Sequence, residues 1–158
     1  MNRKTVIRIA IGALSLLLGT TTTTLARSHS GTPDYTRRVA RPFQQVMSAV
    51  KTAAKEYGFH ISGQHDIAAS IRKAGLQRSP YTVIEVCNPR IAAEVLKAEP
   101  RLGAFMPCRI AVFQQGNTTV VTTVFPSRLA ALFHSAQAMR SARQIDHNLR
   151  LIIQDAVR

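Results

Sequence analysis

A chain of 158 residues with 46% hydrophobic side chains is long enough to bury the core of one domain, which excludes a disordered polypeptide. Its 21 lysines and arginines outnumber eight aspartates and glutamates, a net charge of +13. The cations are nevertheless scattered, tryptophan is absent and aromatic residues make up only 6%, so a nucleic-acid-binding module is excluded and a solvated cationic surface is expected.

Residues Met1 to Ala26 read as an export signal: a basic start at Arg3, Lys4 and Arg8, an apolar run from Ile9 to Leu18, and small residues at Thr24-Leu25-Ala26. The run is about half the 20 residues a bilayer span needs, so cleavage after Ala26 is expected, with no stable membrane anchor afterwards. The product is periplasmic or secreted. The leader takes three positive charges with it and no negative ones, leaving +10 on the remainder. Few carboxylates also means few groups to protonate as pH falls, which suits an acidic exterior.

Residues 27–34 (RSHSGTPD) are polar, are broken by Gly31 and Pro33, and read as a linker. Tyr35 to Val39 reads as a short strand. Pro42 then opens a helix whose apolar stripe is Phe43, Val46, Met47, Val50, Ala54 and Tyr57, with Gly58 as its stop. Phe59 to Ser62 alternates like a strand. Asp66 is placed to cap a helix through Ile67 and Ile71 that ends at Gly75. Tyr81 to Val86 is rich in β-formers, and Asn88-Pro89 supplies the N-cap and first turn of a helix carrying Ile91, Ala92, Val95 and Leu96 up to Pro100. Cys108 to Gln114 and Thr118 to Phe125, joined by Gln115-Gly116-Asn117, form a β-hairpin. From Ser127 to the end the pattern is helical, with Leu129, Leu132, Phe133, Ala136 and Met139 in one stripe and Ile145, Leu149, Ile152 and Ile153 in another. The phase slips near Arg140 to Arg143, which predicts a bend or a junction there.

The interleaving of strands and helices around one hairpin predicts an α+β fold. It would have two layers, a mainly antiparallel sheet with helices on one face, divided into a domain over 35–126 and a C-terminal helical extension over 127–158.

No nucleophile elbow, glycine-rich phosphate loop, zinc-protease helix or CxxC motif is present, so no catalytic residue is assigned. The five histidines lack metal-ligand spacing. The chain does resemble a known family, the domain of unknown function numbered 302, across Val39 to Pro126. The resemblance rests on Gly58-Phe59, Asp66, the stretch Tyr81 to Pro89 ending in Cys87-Asn88-Pro89, then Ala92, Leu96, Glu99 and Gly103, and finally Met106-Pro107-Cys108. The chain departs from the family pattern at Phe125-Pro126, where Asp-Pro is usual. The resemblance implies a curved sheet backed by helices, similar to the TATA-binding-protein arrangement, and implies no activity.

The two cysteines bracket one helix, Cys87 ending the strand before it and Cys108 starting the strand after it. In an oxidising compartment they could close a disulfide, stabilising the fold by roughly 3 kcal/mol. Alternatively they stay thiols, with Cys87 gaining thiolate character from the helix N-terminus and able to hold a soft metal or haem or to react with sulfur species. The resemblance supports thiols, because family members without export signals carry the same pair.

The candidate ligand-binding or redox site is therefore Cys87, Asn88, Pro89, Pro107 and Cys108, with Asp66 as the nearest acid. No metal or cofactor is assigned. The leading functional expectation is a non-catalytic envelope domain that binds a small ligand, metal or protein partner there, and self-association is compatible with it. The alternatives are a thiol-dependent redox, haem/metal or sulfur-handling protein, and a cationic protein that docks on membranes or envelope partners.

Overall fold

The structure, a computed structural model, describes residues 32–158. The expected export signal and residues 27–31 of the linker lie outside the described residues. Those described form one compact unit. Strands β1 (Asp34–Val39), β2 (His60–Asp66), β3 (Tyr81–Cys87), β4 (Cys108–Gln115) and β5 (Thr118–Val124) make one sheet in the order β1-β5-β4-β3-β2, antiparallel at every pairing. Helices α1 (Phe43–Glu56), α2 (Ile67–Lys73), α3 (Pro89–Ala98), α4 (Pro126–Ala130) and α5 (Ala136–Ala156) join them, with 3-10 turns at Pro100–Phe105 and Ala131–Phe133. The fold is α+β.

Side-chain alternation along the strands sorts the sheet into two faces. Thr82, Ile84 and Val86 of β3 face Val112, Ile110 and Cys108 of β4 across the register, and these belong to the helix-covered face. On the same face, Val46, Met47 and Val50 of α1 and Leu149, Ile152 and Ile153 of α5 close the core. The opposite face carries Tyr81 stacked on Phe113, with centroids 5.1 Å apart, and Glu85 beside Arg109.

The stop of α1 shows how the Gly-Phe pair works. Gly58 stands at φ +75°, a conformation that costs glycine little, and its N–H donates to the Lys55 carbonyl at 3.0 Å. The N–H of Phe59 reaches back to Ala54 O at 2.8 Å, and its ring is buried, the paired bonds and apolar contact of a Schellman cap. Gly75 ends α2 in the same way, with Leu76 N–H donating to Ile71 O at 3.2 Å.

Two expectations need correction. β2 extends four residues past Ser62, because a bulge between Ile61 and Gly63 resets its pairing with β3 and lets the polar run to Asp66 continue the sheet. The helical break lies at His134-Ser135 and not at Arg140 to Arg143. His134 is left-handed at φ 55°, and the Ser135 hydroxyl accepts from Ala138 N–H at 3.2 Å as the N-cap of α5. From there α5 runs unbroken, because Ala138, Ser141 and Ala142 continue the buried stripe with small side chains.

The segment expected as an extension contributes part of the core. Its end is held by Tyr57, whose hydroxyl donates to Asp155 at 2.6 Å, and by Arg41, which donates to the carbonyls of Ala156 at 3.1 Å and Arg158 at 2.8 Å. Leu149 is wholly buried. Leu149→Ala is expected to lower unfolding free energy by about 2–5 kcal/mol in urea titration, against little change for Gln144→Ala on the exposed side.

Candidate functional site

The Cys87-Asn88-Pro89 corner is built from the backbone up. Pro89 occupies the first turn of α3, where its missing N–H is no loss. Asn88 caps that helix by accepting from Ile91 N–H at 3.3 Å, while its amide donates to the Gly58 carbonyl at 3.1 Å. One side chain therefore holds the start of α3 to the stop of α1. Both hydrogen-bonding ends of Asn88 are in use by the fold.

Met106-Pro107 is a cis peptide leading into Cys108. Cys87 and Cys108 are both free and partly buried. Cys108 is the register partner of Val86, and Cys87 is the partner of His60, so the two side chains leave the sheet on opposite faces. A disulfide requires the Cβ vectors to converge, which this register opposes. Burial pushes the Cys108 thiol up to about 12, with nearby Cys87 and Asp146 adding to the effect. Cys108 is thus held protonated, the state least suited to nucleophilic attack or soft-metal binding.

Asp66 is not the nearby acid. It pairs with Thr82 at the opposite end of β3 from Cys87, roughly 17 Å along the strand. There it caps α2 by accepting from Ala69 N–H at 2.8 Å, and Arg72 lies 3.9 Å away. The carboxylate beside Cys108 is Asp146 of α5, which accepts from Ser127 N–H at 3.1 Å and is raised above its usual value by burial. Phe125 precedes α4 without a side-chain cap. Asp146 supplies the missing cap from another helix, which accounts for a workable α4 in a chain that lacks the Asp-Pro pattern.

Pro107 and Cys108 line a cavity of about 300 Å³ whose wall is overwhelmingly apolar. Val95 of α3, Leu102, Phe105 and Met106 close one side, Pro126, Leu129 and Ala130 of α4 another, and Ala142 and Ile145 of α5 the roof. Arg109 and Val124 stand at the sheet end. Cys87, Asn88 and Pro89 lie outside it, so the structure divides the expected site: the Pro107-Cys108 half faces a cavity and the Cys87-Asn88-Pro89 half forms a structural corner. Sequence reasoning missed the α4 and α5 contributors, whose signal is two small residues, Ala130 and Ala142, where bulky side chains would have filled the space. Among the described residues, no three histidine, cysteine or acidic side chains converge as a metal-binding set.

This architecture and its motifs have a match. The sequence profile of the family described as "Domain of unknown function DUF302" covers residues 35–156. The chain belongs to the DUF302 family. The crystal structure of an uncharacterized conserved DUF302 protein from Bacillus stearothermophilus superimposes with a TM-score of 0.76 at 26% identity, covering 81% of this chain and 100% of that one. No curated protein matches the chain. The DUF302 match extends through α5, beyond the stretch Val39 to Pro126 that carries the motifs.

The environments of the two DUF302 cysteines predict unequal chemistry. At about pH 8, iodoacetamide is expected to label Cys87 at least about tenfold faster than Cys108 in the folded protein, and both equally after unfolding in guanidinium. Native labelling of Cys108 at the faster rate would contradict the burial argument.

Proposed function

We propose that this DUF302 chain is an exported, non-catalytic envelope domain that binds a small, largely apolar ligand in the cavity beside Met106-Pro107-Cys108. The observation that carries the reading is the cavity itself: a concave, apolar space at the low end of the usual ligand-pocket range, bordered by few polar groups. Polar functions that a reaction would need are scarce there. Cys108 is a protonated thiol and Asp146 is occupied as a helix cap, so both support binding over turnover.

Export rests on the three-part leader and is read by intact mass. The protein recovered from the periplasm or medium is expected to begin at Arg27, whereas a full-length form retained in the membrane would count against it.

Ligand binding is tested with a fluorescent fatty acid as the probe. Leu129 is a partly exposed wall residue, and Leu129→Trp should fill the cavity from its rim. Probe affinity is expected to fall by at least about tenfold while the melting temperature is kept. Unchanged affinity in a folded Leu129→Trp variant would place the probe elsewhere and remove the support for this reading.

A further inference from the structure

Among the described residues five large hydrophobic side chains are exposed: Leu76, Leu96, Phe105, Val124 and Leu132. Four of them gather at one end of the molecule. Leu96 lies over Gly103, 3.2 Å from where a Cβ would stand. Phe105 meets Phe133 edge-on at 6.2 Å, and Leu132, 68% exposed, precedes Phe133 in the chain. Phe105 and Val124 share the cavity wall.

Cations surround these side chains. Lys97 follows Leu96, and the Arg101 guanidinium sits 4.9 Å above the Phe133 ring. The α4 segment runs back along α5, with Ser127 bonded to Asp146 and the His134-Ser135 turn entering Ala136. Leu132 stands two residues before the His134-Ser135 turn into α5, and Arg140 and Arg143 of that helix are exposed. The carboxylates at this end are engaged: Glu99 is bound in a two-pronged pair by Arg101 at 2.8 Å, and Glu94 accepts from the Ser141 hydroxyl at 3.2 Å.

We infer that this end, comprising Leu96, Phe105, Leu132, Arg140 and Arg143, is a docking surface for an anionic lipid bilayer. Exposed apolar side chains would enter the headgroup boundary while flanking arginines meet lipid phosphates, the division of labour of interfacial proteins. The net charge of +10 after the leader adds long-range attraction to the same partner. Among the described residues no helix is long and apolar enough to cross a membrane, so the contact is at the surface. The cavity opens at this end, but docking goes beyond the ligand reading and is measured whether or not the cavity is filled.

The test is co-sedimentation of the chain from Arg27 to Arg158, which contains the whole compact unit, with vesicles of phosphatidylcholine alone or with about a third phosphatidylglycerol. Binding is expected only to the anionic vesicles and is expected to be lost in high salt. Arg140→Gln with Arg143→Gln should weaken it about 25-fold, roughly fivefold per charge. Leu132→Asp should weaken it by at least about tenfold with the melting temperature unchanged. A charge-matched control, Lys51→Gln with Lys73→Gln on α1 and α2, should stay within about twofold. The inference is overturned if neutral vesicles bind equally, if the control loses as much as the arginine pair, or if duplex DNA competes more tightly than vesicles. It also fails if the chain is a dimer that Leu132→Asp dissociates, which would assign the surface to a second copy.

Discussion

The rest of the structure depends on the sheet burying one of its faces beneath helices. Strands β3, β4 and β5 present Ile84, Val86, Ile110, Val112 and Val121 to the same side, and α1, α3, α4 and α5 contribute apolar side chains there. Two helices, α1 and α5, supply most of the roof, with Val46, Val50, Leu149, Ile152 and Ile153 fully buried. Where the roof is made of alanine instead, at Ala130 and Ala142, the sheet end is left uncovered and the cavity appears. The candidate site is thus a gap in the packing, placed by the small side chains of α4 and α5.

The DUF302 motifs read differently once the fold is known. Gly58-Phe59 is a helix stop and Asn88-Pro89 a helix start, and Asn88 holds one to the other through the Gly58 carbonyl. A motif recognised by its residues therefore encodes a joint, which any side chain without both a donor and an acceptor would loosen. Met106-Pro107-Cys108 is the exception, because it borders open space. The two cysteines, drawn together by their places in the chain, are separated by the pleat.

Much of this was legible in the sequence because local signals and tertiary demands agree. The alternation of Tyr81 to Val86, the Gly116 turn, and the caps Asp66 and Asn88 each appear where the residues place them, since strand pairing and helix ends need those residue types. The failures came where a signal was weak or nonlocal. β2 continues through Gly63 and His65, residues with little strand character, because the bulge re-registers them against β3, where His65 Nε2 lies 3.5 Å from Glu85 Oε1 and a Cβ on Gly63 would stand 2.7 Å from Glu85 Oε2. The break at His134 was hidden because Ala138 and Ala142 are buried without being bulky, so the apolar stripe seemed to lapse inside α5. Asp66 is near Cys87 in the motif and far from it in the sheet, a distinction that only the strand register makes.

The electrostatics decide how the cavity should be read. A reactive thiol needs an environment that favours the thiolate, whether a helix N-terminus, a cation or water. Cys108 has the reverse: burial in apolar surroundings, with Asp146 and Cys87 nearby to oppose a second negative charge. Asp146 is itself disfavoured as a charge by burial, and its hydrogen bond to Ser127 partly offsets that cost while completing α4. Of the polar groups near the cavity, Cys108 is neutral, Asp146 holds α4 in place, and Arg109 at the sheet end pairs with Glu85. What remains to meet a guest is Leu102, Leu129, Ile145 and the faces of Pro107 and Pro126, surfaces that recognise shape and apolar area. Such a wall would gain from an apolar guest by removing its surface from water, which is the physical basis of the proposed ligand reading.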